Sequence, residues 1–391
     1  MNKKSITILI LLIILIIASG LWLSKNKWLS YLFEPRQSSL PQGVDLGNLE
    51  DKPGNQATTS REENIKTIAE NFSIPWEIIF LPDESLLLTE RPGNLVRIKP
   101  GRREKIEIEG VEHVGEGGLL GAALHPDFTN NNWLYLYLTT RTGEGLINRV
   151  ERYKFIPEEN KLLEKETIIT DIPGASYHDG GRIAFGPNNF LYITTGDAGE
   201  DQLAQNTSSL AGKILRLKDD GSIPEDNPFD NEIYSYGHRN PQGLAWDSKG
   251  NLWSTEHGPS GLNSGFDEIN LIKKGENYGW PLVKGEESRK GMIPPIIQSG
   301  SEDTWAPAGL EIIEEKLFFV GLRGSALYSA EIDGEKLENL KINFPESWGR
   351  LRICRQGPDG FLYLATSNTA GRGSPKEGDD RIIRINPEIL K

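Results

Sequence analysis

Four stretches of this sequence are denser in Gly, His, Arg and Asn than strands require. They are Gly115-Glu116-Gly117-Gly118-Leu119-Leu120-Gly121, Tyr177-His178-Asp179-Gly180-Gly181-Arg182, Gly237-His238-Arg239-Asn240-Pro241-Gln242-Gly243 and Glu256-His257-Gly258-Pro259. The last runs on into Asp267-Glu268-Ile269-Asn270 and Asn277-Tyr278-Gly279-Trp280-Pro281, and between them sits Gly196-Asp197-Ala198-Gly199-Glu200-Asp201-Gln202. Histidine is the ordinary side chain for moving protons near neutral pH, so His178 is a candidate base. The 256–278 stretch offers carbonyl and carboxylate oxygens, the donors calcium prefers. Each group also has a structural reading. His178 alone can be a turn histidine, Asp197 can cap a turn, and Arg239 to Gly243 can cap a strand layer through carbonyls. His125, His238 and His257 read as structural, Asn277 to Pro281 as a packed turn, and Cys354 as a strand-core residue.

The elements that must hold these loops are legible as a cadence. A turn of Pro, Asp, Asn or Gly precedes a short apolar strand six times: Leu86-Leu87-Leu88-Thr89, Trp133 to Tyr137, Phe190 to Thr194, Leu252 to Thr255, Leu317 to Val320 and Phe361 to Thr366. A second strand type follows several of them: Leu95 to Ile98, Ile214 to Leu217, Ile382 to Ile385. A strand-rich unit repeated at roughly 40–65 residues predicts an all-β, six-bladed β-propeller. The lone periodic stretch near Ile65 to Phe72 is expected to close the ring against the last blade. Unequal spacing implies long loops gathered on one face.

Composition bounds the rest. The chain of 391 residues is 37% hydrophobic and 25% charged, with 42 Gly and 23 Pro, which suits many strands joined by tight turns. A formal net charge of −13 argues against a nucleic-acid partner. One cysteine excludes an internal disulfide and a CxxC zinc site. Met1-Asn2-Lys3-Lys4 leads into an apolar run from Ile6 to Leu23, which as a helix spans roughly 27 Å, close to a hydrocarbon core. Ala18-Ser19-Gly20 could be a signal-cleavage site, but the run continues past it and Trp28 and Tyr31 resemble interfacial aromatics, so an uncleaved anchor over residues 1–33 is the favoured reading. Either reading exports the rest. Residues 34–63 read as a flexible linker and 64–391 as the propeller.

Taken in order, these motifs resemble the glucose/sorbosone dehydrogenase family, which includes soluble aldose sugar dehydrogenases that use pyrroloquinoline quinone (PQQ). The likeness runs from about Asn64 to Ile385. It implies that His178 is the catalytic base and Asp197 its partner. It implies that Gln202, Arg239, Asn240, Arg323, Arg350 and Arg352 face the quinone, and that Gly258, Pro259, Glu268 and Tyr278 supply calcium ligands. It further implies an extracytoplasmic sugar substrate and a respiratory electron acceptor. Glu116 is counted with the cofactor-side residues, but it and Tyr177 depart from the glucose-oxidising pattern, as does Arg323, where Lys is usual. Physical chemistry points the same way, because a flat tricarboxylate needs several cations in one pocket. The alternative from a different class is a surface propeller that binds carbohydrate and has lost the cofactor.

Overall fold

Alternating apolar residues dictate the architecture. In a strand, successive side chains point to opposite faces, so a run such as Leu134-Tyr135-Leu136-Tyr137 must bury both. The computed structural model, which describes residues 64–259 and 264–390, satisfies this with six four-stranded antiparallel sheets. Leu134 and Leu136 pack on the preceding sheet beside Leu87 and Leu95. Tyr135 and Tyr137 pack on the following one beside Ile193 and Leu215. Phe318 and Phe319, and Tyr192 and Ile193, divide between neighbours in the same way. Each junction between neighbouring blades thereby gains its own apolar cluster, and no single central core exists among the described residues.

The inner strands are Pro75–Phe80, Leu119–Leu124, Ile183–Phe185, Pro241–Trp246, Pro307–Ile313 and Leu351–Gln356. The six repeated apolar strands of the sequence are the second strand of each blade, and the other repeated type is the third. The strand Ile65–Ala69 pairs with Ile382–Ile385 and completes the last blade, as the sequence implies. The anchor, signal and linker readings of residues 1–63 lie outside the described residues. Among the described residues no helix is long and apolar enough to cross a membrane.

Antiparallel order sorts the connections. Those from first to second strand lie on one face and are short, as at Gly357-Pro358-Asp359-Gly360, or hold a single helical turn, as Phe128–Asn131 does after His125-Pro126-Asp127. Those from second to third strand, and from one blade to the next, lie on the other face. Every motif rich in Gly, His and Arg falls in this second set.

Candidate active site

His178 precedes the inner strand of the third blade and adopts φ 60°, a left-handed conformation unusual for a side chain with a Cβ. Two bonds hold it there. Its amide donates to Glu116 Oε2 at 3.1 Å, and its carbonyl accepts from the Ala198 amide at 3.3 Å. The neighbouring turn approaches so closely that a Cβ on Gly196 would lie 1.8 Å from the His178 carbonyl oxygen, so only glycine fits. This packing sets His178 Nδ1 2.7 Å from Asp197 Oδ1.

Asp197 is fully buried. Burial alone would push its carboxyl up, but the His178 imidazole, the Gly199 amide and the Arg239 charge outweigh it and hold the group below its usual range. An ionised carboxylate only accepts, so Nδ1 carries the proton and donates. Nε2, which makes no hydrogen bond among the described residues, is then the basic nitrogen. Trp280 Nε1 donates to Asp197 Oδ2 at 2.9 Å and fixes the carboxylate plane. Gln205 in turn holds Trp280, donating to its carbonyl at 2.6 Å.

Around this dyad stands a wall of guanidinium groups. Arg350 and Arg352 are both buried deeply enough that desolvation lowers their affinity for the proton, Arg350 to about 10. Mutual repulsion adds to this: Arg352 feels Arg91 and Arg350, while Arg350 feels Arg372, Arg323 and Arg91. The Nε atoms of Arg350 and Arg352, Asn240 Nδ2 and His257 Nε2 are buried without a hydrogen-bond partner. Buried polar groups are normally satisfied, so this set has the form of a receptor for an anionic, acceptor-rich ligand. Arg239 lies over the Trp280 ring at 5.3 Å and donates to the His257 carbonyl at 3.4 Å.

The inner strands aim these side chains by a common device. Their pairing skips one residue near the site-facing end: Trp76, Gln242 and Arg352 each stand unpaired in a β-bulge. Arg352 donates to Gln242 Oε1 and lies 5.7 Å from the Trp76 ring. Bulges also occur between Leu119 and Ala122 and between Pro307 and Leu310.

The structure brings His178, Asp197, Glu116, Arg239, Asn240, Arg350 and Arg352 together, with Arg323 on the same face. Glu116 bridges the His178 amide and Arg372 Nη1, the latter at 2.7 Å. Gln202 is exposed on the short turn Asp201–Gln205 and, among the described residues, makes no hydrogen bond to the dyad; Gln205 of that turn does the linking. The Gly258 amide donates to buried Asp267 at 2.8 Å, and Pro259 borders the undescribed residues 260–263. Glu268 faces Glu256 across a strand pair; burial and that like charge push its carboxyl up. Tyr278 is a packing residue, stacked on His238 at 4.7 Å with its hydroxyl bonded to Leu271 and Lys273, so only its carbonyl is left as a ligand. No group of three His, Cys, Asp or Glu among the described residues forms a metal cluster. Sequence reasoning missed Trp280, Gln205 and His257 as site residues. Trp280 and His257 lie within motifs it quoted, but nothing in their spacing shows where they point.

A family model for glucose/sorbosone dehydrogenase matches residues 72–383. The aldose sugar dehydrogenase YliI of Escherichia coli K12 is 33% identical over 341 residues, 79% of this chain and 91% of that protein. Quinoprotein glucose dehydrogenase B of Acinetobacter calcoaceticus is 37% identical over 292 residues, 65% of this chain and 60% of that protein. The structure of a PQQ-bound aldose sugar dehydrogenase from Streptomyces coelicolor superposes with a TM-score of 0.76 at 39% identity, over 82% of this chain and 97% of that one. A match across all six blades, joined to a buried His–Asp pair beneath an arginine wall, means that this chain belongs to the glucose/sorbosone dehydrogenase family.

Proposed function

We propose that this protein is a PQQ-dependent oxidoreductase that oxidises a CH–OH group of an aldose, with His178 as general base. The observation that carries the reading is the His178–Asp197 contact of 2.7 Å, which leaves Nε2 basic beside buried guanidinium donors that lack partners. The donor set suits the cofactor: Arg350, Arg352 and Asn240 present unsatisfied N–H groups, and Arg239 and Arg323 add charge, which matches a flat tricarboxylate. When bound, the ortho-quinone supplies the two-electron acceptor. His178 Nε2 takes the hydroxyl proton, and Asp197 stabilises the imidazolium that results. Asp197 stays ionised throughout, and Trp280 keeps it in plane. Glu116 fixes the backbone of His178, so the base cannot swing away.

For calcium, the oxygen chemistry around Glu268 suits a hard cation. Two buried like-charged carboxylates, Glu256 and Glu268, lie beside Asn270, whose Oδ1 is buried and unpartnered. The carbonyls of Gly258, Pro259 and Tyr278 are the further candidates. The apolar run Ile6–Leu23 supports a location outside the cytoplasm, on the membrane, and a respiratory acceptor for the electrons belongs to the same reading.

The test is dye reduction by the full chain in detergent, given PQQ, calcium and a panel of aldoses. Turnover that requires the quinone is the expected result. Sugar binding by calorimetry with neither quinone binding nor dye reduction would instead establish a carbohydrate-binding propeller. Digestion of the propeller by external protease in intact cells tests the location.

A further inference from the structure

Lys213 opens the third strand of the third blade and is fully buried. Its ammonium donates to three main-chain carbonyls: Leu203 at 2.9 Å, Ala204 at 3.0 Å and Ala211 at 2.5 Å. An ammonium has three protons, so this cage saturates it. Burial is the cause that pulls the group down to about 7, and no carboxylate among the described residues pairs with it. An isolated buried cation is costly, and a methionine would pack there more cheaply. The three carbonyls all belong to the loop after Asp197.

That loop is tied to the dyad at several points. The Gly212 amide donates to the Gly196 carbonyl at 2.8 Å, next to Asp197. The Ala204 carbonyl, one of the three in the cage, also accepts from the Gly237 amide at 2.9 Å, two residues before Arg239. Gln205, the next residue, donates to Asn277 Oδ1 at 3.0 Å and to the Trp280 carbonyl at 2.6 Å. Trp280 then holds Asp197 Oδ2.

We propose that Lys213 is a positioning residue of the site: an internal monovalent cation that folds residues 196–212 into the shape in which Gln205 and Trp280 hold Asp197 against His178. The inference rests on the reading of His178 and Asp197 as the reacting pair. Removing the ammonium leaves three carbonyls converging on a void, and the turn carrying Gln205 relaxes toward water.

The experiment labels the full chain with 5-fluorotryptophan and follows the Trp280 fluorine signal, assigned with Trp280→Phe. Lys213→Met is expected to stay folded, move that signal, and lower kcat by about 10–100-fold with KM changed less than about 3-fold, as small misplacement of a reacting group does. In Lys213→Ala, ammonium or methylammonium should restore both the signal and kcat. Tetramethylammonium, of equal charge but without N–H donors, should restore neither. Folded Lys213→Met with an unmoved signal and parental kcat overturns the proposal. If neither variant folds, Gln205→Ala, which keeps the cation, decides: an unmoved Trp280 signal overturns it too. The fluorine signal is read without quinone or sugar. A parent protein that does not oxidise sugars therefore overturns the functional reading, whatever the signal does.

Discussion

Asp197 decides which nitrogen of His178 can act. With Nδ1 bound at 2.7 Å, only Nε2 can receive a proton. His178→Ala is expected to lower turnover by about 10²–10⁴-fold, the usual worth of positioned proton transfer. Quinone titration by fluorescence should find binding little changed, because the guanidinium groups remain. Arg352→Ala should do the reverse, weakening quinone binding about 10–100-fold, which corresponds to a charge-assisted hydrogen bond of about 1.5–3 kcal/mol. Beside His178, Asp179 is buried, and that burial raises its carboxyl to about 6 against the pull of the Ala175 amide and Asn148. A raised folded value means the native state binds the proton more tightly than the unfolded chain. The stability it contributes is present below about pH 4 and lost as pH rises through about 6. Asp179→Asn should therefore flatten the melting profile across that window and gain on the order of 1–3 kcal/mol at pH 8. Equal pH slopes in parent and variant would count against this assignment.

At the scale of the strand, the bulges convert a sheet into a site. A regular inner strand would alternate its side chains between the two neighbouring blades. The extra residue turns Trp76, Gln242 and Arg352 out of that alternation, and Arg352 meets Gln242 from a different blade. Close approach at the bulge depends on Gly243, where a Cβ would meet Thr255 Oγ1 at 2.3 Å and the Ala308 carbonyl at 2.6 Å. Gly243→Ala should cost about 1–3 kcal/mol through overpacking. Because it displaces the Gln242–Arg352 contact, it should also weaken quinone binding. Calorimetric melting with quinone titration checks both effects, and a loss of stability without any loss of affinity would separate the bulge from the site.

At the scale of the molecule, one buried carboxylate braces blades far apart in sequence. Glu77, from the first blade, pairs with Arg182 ahead of the third-blade strand and with Arg355 of the last blade at 2.9 Å. Burial would raise Glu77, but the two guanidinium groups hold it below the usual carboxylate range. Arg182 also donates to the Gln242 carbonyl at 2.8 Å, and Arg355 to the Leu310 carbonyl at 3.1 Å. Blades distant in sequence are thereby joined across the centre, in addition to the closure by Ile65–Ala69. Glu77→Gln leaves two buried cations poorly compensated, which costs about 3–5 kcal/mol. For a domain of this size that lowers Tm by roughly 5 °C. A melting temperature unchanged within a degree would show that the brace is dispensable.

Strand alternation and turn chemistry are local, so the sequence alone determined the six blades, the identity of the second and third strands, and the closing strand. The long loops rich in Gly, His and Arg were equally legible, because no strand needs them. Family likeness then attached roles to His178, Asp197 and the arginines. What only the tertiary structure decided is which side chains from distant blades meet. Trp280 reaches Asp197 across 83 residues and Arg372 reaches Glu116 across 256, and no periodicity carries such distances. The structure also set Gln205 in the linking role and left Gln202 exposed, since the direction of a side chain on a short turn depends on how that turn is tied down. The carbonyl cage around the Lys213 ammonium belongs to the same class, because the backbone supplies that partner set and the sequence does not display it.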